Sequence, residues 1–279
     1  MDRAARRRIG NSIFVVLCGI ATLIALAFLA LILWTLLTRG VGGIDAKIFT
    51  MDQPPPGSPG GLRNAIVGSI IMCALGMAIA LVVGILAGTW LAEYGAGTRY
   101  GAVIRFLNDV LISAPSILIG LFVYELLVAP FHGFSALAGG VALAFLATPI
   151  VVRTTEDILS LQPGALREAG MALGASRAFV IRTIIWKSAR TGLLTAGLLG
   201  FARISGETAP LLFTSLGNLN NNYSQLTQPM ASLPTTIFQF ALSAYDDWQR
   251  LAWVGALLIA VAVLTINIVG RALARETRP

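Results

Sequence analysis

The stretch "FARISGETAPLL", residues 201–212, places Arg203 and Glu207 four residues apart inside an apolar run. On a helix, positions i and i+4 share a face, so the carboxylate can reach the guanidinium within one segment. An arginine near a bilayer centre costs about 2.5–3.5 kcal/mol on insertion scales. Such a residue has to be paired, hydrated or both. A guanidinium also donates two parallel hydrogen bonds in a fixed fork, which suits an oxyanion. Two readings stand. The pair either locks helix packing, or it is an anion contact that Glu207 occupies when no anion is there. In the second reading Glu207 also keeps the site from holding a dianion too tightly, since a passage site must release as well as bind. Gly206 and Pro210 weaken a helix here, and Pro210 lacks the N–H that would bond the Gly206 carbonyl. The spacing predicts a helix kink at Gly206 and Pro210 that exposes backbone groups to a cavity.

Three further residues could meet an anion. Arg153, in "TPIVVRTTED" (148–157), is either a second contact or an interfacial arginine that snorkels to water. Pro115 in "SAPS" (113–116) interrupts a helix, and Ser113 and Ser116 either refill its lost hydrogen bonds or donate to a passing anion. Other chemistry lacks material. The chain has one histidine, His132, and two cysteines, Cys18 and Cys73. No metal site and no catalytic residue is expected, and Ser205 beside Gly206 has no evident base to activate it. No G-x-x-x-x-G-K-[ST] run is present, so nucleotide phosphates are not cradled in that way.

The elements that must position these residues follow from composition. Hydrophobic residues make up 56% of the 279 and charged residues 12%, half the charged share of about 25% in soluble domains. Several apolar runs reach the roughly 20 residues needed to cross a bilayer core. They are too long and continuous for barrel strands. An all-α polytopic membrane protein with six transmembrane helices is expected, at roughly 11–37, 64–91, 104–128, 135–155, 190–214 and 250–271. The first run exceeds the core of a signal peptide and reads as an uncleaved span. With both termini cytoplasmic, fifteen of the twenty basic residues fall on the cytoplasmic side, as the positive-inside rule requires. The net charge of +7 therefore serves orientation, and no nucleic-acid partner is expected. "MDQPPPGSPGG" (51–61) reads as an outer surface loop. "GNLNNNYSQL" (217–226) reads as a polar turn-rich segment, and "LPTTIFQFAL" (233–242) as a short outer helix at the interface or a re-entrant segment.

The connection between the fourth and fifth spans is patterned. In "LQPGALREAGMALGASRAFVIRTIIWKSAR" (161–190), Pro163 suits a helix's first turn, Gly174 a helix end and Ser176 the N-cap of a second helix. This predicts a helix–glycine–helix elbow. It is either an amphipathic hairpin resting on lipid headgroups or a knob presented to a cytoplasmic partner.

"EAGMALGASRAFVIRTI" resembles the EAA loop of ABC-importer permeases, with Glu168, Ala169, Gly174 and Ile184 in register. Gly170, Trp186 and Lys187 depart from that pattern; the missing proline at 187 puts the end of the second loop helix in question. With "NAIVGSI" (64–70), "LAEYG" (91–95), "LNDVLISAPSILIGLFVYEL" (107–126), "TPIVVRTTED" and "ARISGETAPLLFT" (202–214), residues 60–270 resemble the PstA-type permeases of phosphate importers. The resemblance implies a type I ABC importer permease fold and a bacterial or archaeal plasma (inner) membrane. It implies four kinds of partner: a PstC-like second permease, a PstB-like ATPase dimer, a PstS-like external phosphate-binding protein and membrane lipid. It implies no cofactor in this chain, ATP being bound by the partner ATPase. Glu168, Ala169, Gly170 and Gly174 would couple to that ATPase. Residues 1–62 would form an N-terminal unit with the first span, and 63–279 a permease core carrying the loop at about 160–190. A permease for sulfate, molybdate or phosphonate is the alternative.

Overall fold

The computed structural model describes residues 3–217 and 225–276. Among them all regular structure is helical: α1 Arg3–Val41, α2 Lys47–Thr50, α3 Arg63–Glu93, α4 Arg99–Ser113, α5 Ser116–Val123, α6 Ala129–Phe131, α7 Ala136–Ser160, α8 Gly164–Ala172, α9 Arg177–Val180, α10 Trp186–Ser188, α11 Arg190–Ile204, α12 Ala209–Thr214, α13 Leu233–Ala241 and α14 Asp246–Glu276. In lipid each backbone group needs an internal partner, and helices supply it within one segment.

Among the described residues, four helices are long and apolar enough to cross a membrane: Gly10–Val41, Arg63–Glu93, Ala136–Ser160 and Asp246–Ala272. They cover the expected first, second, fourth and sixth spans. The expected third and fifth spans are helical but interrupted. The third is Arg99–Ser113 followed by Ser116–Phe131, bent by 104° at Ala114–Pro115. Pro115 is the N-cap of α5, so Ser113 ends one helix and Ser116 begins the next. The fifth is α11 and α12 with residues 205–208 between them.

The core is the seam of α3 along α7. Met72, Met77 and Ala80 of α3 pack with Leu143, Leu146 and Ala147 of α7. Ile204 of α11 and Leu211 of α12 complete this cluster. A Cβ on Gly84 of α3 would lie 2.7 Å from Val151 Cγ1, so only glycine permits that approach. Helix α1 stands apart. It meets α14 only toward its C-terminal end, where Arg39 lies over the Trp253 ring at 5.3 Å and Gly40 faces Leu257. Its apolar side chains are otherwise exposed.

The Pro-rich loop at 51–61 holds no helix or strand, as expected. It is tied down by Arg63, whose Nε and Nη2 donate to the Asp52 carboxylate at 3.1 and 2.9 Å. Gln53 N–H also donates to Asn64 Oδ1 at 3.2 Å. The short helix expected within 233–242 is α13, buried on one side and open on the other at Phe238, with Leu242 exposed just beyond its end. Leu233, Pro234, Thr235, Thr236 and Phe240 are buried, and Phe240 stacks on Trp248 at 4.4 Å. Ser232 caps its N-terminus. The polar segment read at 217–226 lies mostly outside the described residues.

Candidate functional site: a broken helix and a basic elbow

Arg203 occupies the last turn of α11 and Glu207 the break that follows. The i,i+4 geometry holds: Arg203 Nη1 meets Glu207 Oε1. The environments differ. The Arg203 side chain is 42% exposed and that of Glu207 11%. The guanidinium thus lies on a face that this chain leaves open, while the carboxylate is largely enclosed.

Pro210 does not kink a helix, contrary to the sequence reading. It sits in the first turn of α12, where its missing N–H leaves no bond unmade. The chain turns earlier, at Ser205, Gly206 and Glu207, whose N–H donates to the Ile204 carbonyl at 3.2 Å. Pro210 instead makes a packing contact, since a Cβ on Gly120 of α5 would lie 2.6 Å from the Pro210 Cα. The two interrupted spans therefore meet at their second halves. Beside the break, Phe201 and Ser205 line an apolar groove of about 490 Å³ with Cys73, Met77, Leu258 and Ala262.

Arg153 is not brought to Arg203. It lies between Asp109 of α4 at 3.8 Å and Asp157, one turn along α7, at 3.5 Å. Arg105 Nε bonds Glu156 Oε1 at 2.6 Å, and Asn108 Nδ2 donates to the Pro149 carbonyl at 3.1 Å. Three polar contacts thus run along one α4–α7 face, and Arg153 belongs to it. Ser113 Oγ donates to the Asp109 carbonyl one turn back in its own helix, at 2.8 Å. Ser116 is half-buried in the first turn of α5.

The elbow forms as the spacing predicts. Pro163 is the N-cap of α8 rather than a first-turn residue. Glu168 and Ala169 are exposed and Gly170 is buried. A Cβ on Gly170 would lie 2.7 Å from Val180 Cγ2, so glycine at this departing position lets α8 close on α9. Gly174 has φ of +82°, a conformation that glycine adopts without steric cost. Ser176 Oγ accepts from Phe179 N–H at 3.4 Å. With lysine at 187 instead of proline, the second arm does not stop there. It continues through a π turn at Ile181–Ile185 and α10, with Ala189 as the only residue before α11.

Sequence reasoning missed what holds the elbow. Glu93, at the end of α3, is buried and receives Arg167 in a two-pronged pair. Arg167 Nε lies 3.0 Å from both carboxylate oxygens and Nη2 lies 2.6 Å from one. The same guanidinium donates to the carbonyls of Leu159 and Gln162, both at 2.8 Å. Arg177 bonds the Glu93 carbonyl and lies over the Tyr94 ring at 4.5 Å. Trp186 Nε1 donates to Thr89 Oγ1 at 3.1 Å. The available signal is the acidic residue in "LAEYG", but its partners are remote in sequence.

The family described as binding-protein-dependent transport system inner membrane component matches residues 80–279. The phosphate transport system permease protein PstA of Xylella fastidiosa (strain Temecula1) is 52% identical over 269 residues, 96% of this chain and 93% of that protein. The protein of the same name from Haemophilus influenzae is 48% identical, covering 95% of this chain and 94% of its own length. Among solved structures, an inward-facing MetNI methionine ABC transporter matches with a TM-score of 0.66. It is 18% identical, and the match covers 77% of this chain and 95% of that one. That likeness bears on the fold alone.

Proposed function

The chain belongs to the family of binding-protein-dependent transport system inner membrane components, and from that premise we infer that it is a PstA-type permease subunit of a phosphate ABC importer. It is a multi-pass membrane protein of the type I importer permease fold and a transporter component, not an enzyme. The observation that carries the reading is the close relationship over almost the whole chain to permeases named for phosphate transport. ATP hydrolysis belongs to a separate ATPase subunit of such an importer. The finer assignments are a PstC-like second permease, a PstB-like ATPase dimer, a PstS-like binding protein outside, and both termini in the cytoplasm.

Arg203 is the substrate contact in this reading. Its fork suits the oxygens of a phosphate, it lies beside a break in a helix, and its half-exposed side chain leaves room for an incoming anion. Glu207 occupies it between transport events. Arg153 and Ser116 would serve the same route as secondary contacts, and the exposed Glu168 and Ala169 would meet the ATPase. Gly170 and Gly174 shape the elbow that presents them.

The test is ATP-dependent uptake of labelled phosphate by proteoliposomes holding the complete importer. Uptake by the complete importer, none by this chain alone, and little competition from sulfate, molybdate or phosphonate are expected. Flux through the chain alone, or uptake that another oxyanion abolishes at lower concentration than phosphate, would overturn the assignment.

A further inference from the structure

Both arms of the elbow converge on one turn of α3. The first arm arrives through Arg167 on the Glu93 carboxylate. The second arrives through Arg177 on the Glu93 carbonyl and the Tyr94 ring, and again through Trp186 on Thr89, four residues before Glu93. Arg167 is simultaneously fixed to the end of α7 and the residues after it, through Leu159 and Gln162. Nearly every N–H of that guanidinium has an acceptor, in a setting where the Glu93 side chain is 1% exposed. An enclosed pair with most of its donors bonded holds one geometry, whereas an exposed pair would be screened and loose.

From this end the contacts lead to Arg203. Helices α3 and α7 pack closely through Gly76, Gly84 and Gly88 on one and Gly140 on the other. On α7, Val151 Cγ2 would be 3.0 Å from a Cβ on Gly200 of α11. Ile204, next to Arg203, lies in the α3–α7 core cluster. A displacement of the elbow is therefore delivered to the α3–α7 pair, and from there to the helix end that carries the pathway arginine.

We propose that Glu93 is the positioning residue that joins the elbow rigidly to α3 and α7, so that it sets how much phosphate moves per ATP hydrolysed. This rests on the phosphate-importer reading above. Glu93 touches neither phosphate nor nucleotide, and its carboxylate acts through Arg167.

The experiment uses the complete importer in proteoliposomes and measures labelled phosphate taken up against ATP hydrolysed. Glu93→Gln keeps the shape and removes the charge; Arg167→Lys keeps the charge and removes the fork. Each is expected to lower the phosphate-to-ATP ratio by at least about fivefold, the lower end of ordinary coupling between sites, while hydrolysis continues. A merely structural role predicts fewer assembled importers with the ratio unchanged, and that result overturns the proposal. Arg167→Lys, which leaves the buried carboxylate a cationic partner, also covers the case in which Glu93→Gln does not assemble; an unchanged ratio there overturns the proposal as well. Wild-type importer that hydrolyses ATP and moves no phosphate would instead defeat the functional reading, and the proposal with it.

Discussion

Glu207 is enclosed and Arg203 is half-exposed, although the two meet across four residues of one chain. The asymmetry gives the pair a direction. The carboxylate lies on the enclosed side of the pair and the guanidinium on the open side. In the phosphate-importer reading proposed above, an arriving phosphate shares Arg203 before Glu207 has let go.

Removing the fork should stop passage, and removing the carboxylate should slow release. Arg203→Gln is expected to abolish uptake. Arg203→Lys keeps one charge but loses a charge-assisted hydrogen bond, worth about 1.5–3 kcal/mol, and should cut the uptake rate by roughly tenfold or more. Glu207→Gln leaves Arg203 without its resting partner. Phosphate retained by the purified importer after washing should rise while turnover falls. Wild-type uptake by both glutamine variants would show that Arg203 faces no part of the pathway.

The elbow makes two separable demands on glycine. At Gly174 the demand is the backbone angle, and an L side chain there costs about 1–2 kcal/mol. At Gly170 the demand is space, and a valine forced against Val180 costs about 1–3 kcal/mol of overpacking. Gly174→Ala should lower the thermal midpoint of the purified importer while leaving the ATPase attached. Gly170→Val should spread the arms that present Glu168 and reduce copurification of the ATPase. Equal copurification with Gly170→Val would mean that the arms' closure is not what the ATPase reads.

The legible parts of this molecule are those set by neighbours in sequence. The long spans were readable because their apolar runs have no competing signal. Arg203 and Glu207 were readable because a helix places i and i+4 together. Pro210 was misread because the same residue suits a kinked interior or a first turn. The choice falls to tertiary packing, here the contact of Pro210 with Gly120 on another helix. Glu93 and Arg167 are 74 residues apart, and no periodicity joins them. Arg153 carried two readings, and its actual neighbours Asp109 and Asp157 include one from another helix.

Helix α4 buries only Gly101 and Asn108, so its attachment to α7 is chiefly polar. Asn108→Ala removes the bond to the Pro149 carbonyl and should cost about 0.5–1.5 kcal/mol. Glu156→Gln should cost more, because it withdraws the charge facing Arg105 in a partly buried pair. The two residues lie on one contact face, so the double variant should destabilise by less or more than the sum of the singles. Thermal unfolding of the importer in detergent measures this. Strict additivity would mean that the contacts act independently and do not form one joint.

The placement of Pro210 makes a contrast that stability can read. A proline inside a helix costs about 3 kcal/mol or more, so replacing a kinking proline with alanine would straighten and stabilise the segment. A first-turn proline stands where the N–H is unpaired anyway. Pro210→Ala should therefore gain nothing from a new backbone hydrogen bond, and it keeps the Cα, carbonyl and Cβ that face Gly120. What it gives up is the proline's restriction of the unfolded chain, so a small fall in the thermal midpoint is expected, with uptake retained. Pro210→Leu adds volume and a flexible branch in a position already tight against Gly120, and should lower both stability and uptake. A midpoint that rises in Pro210→Ala would show that the segment prefers one continuous helix, with the break at 205–208 imposed by the proline.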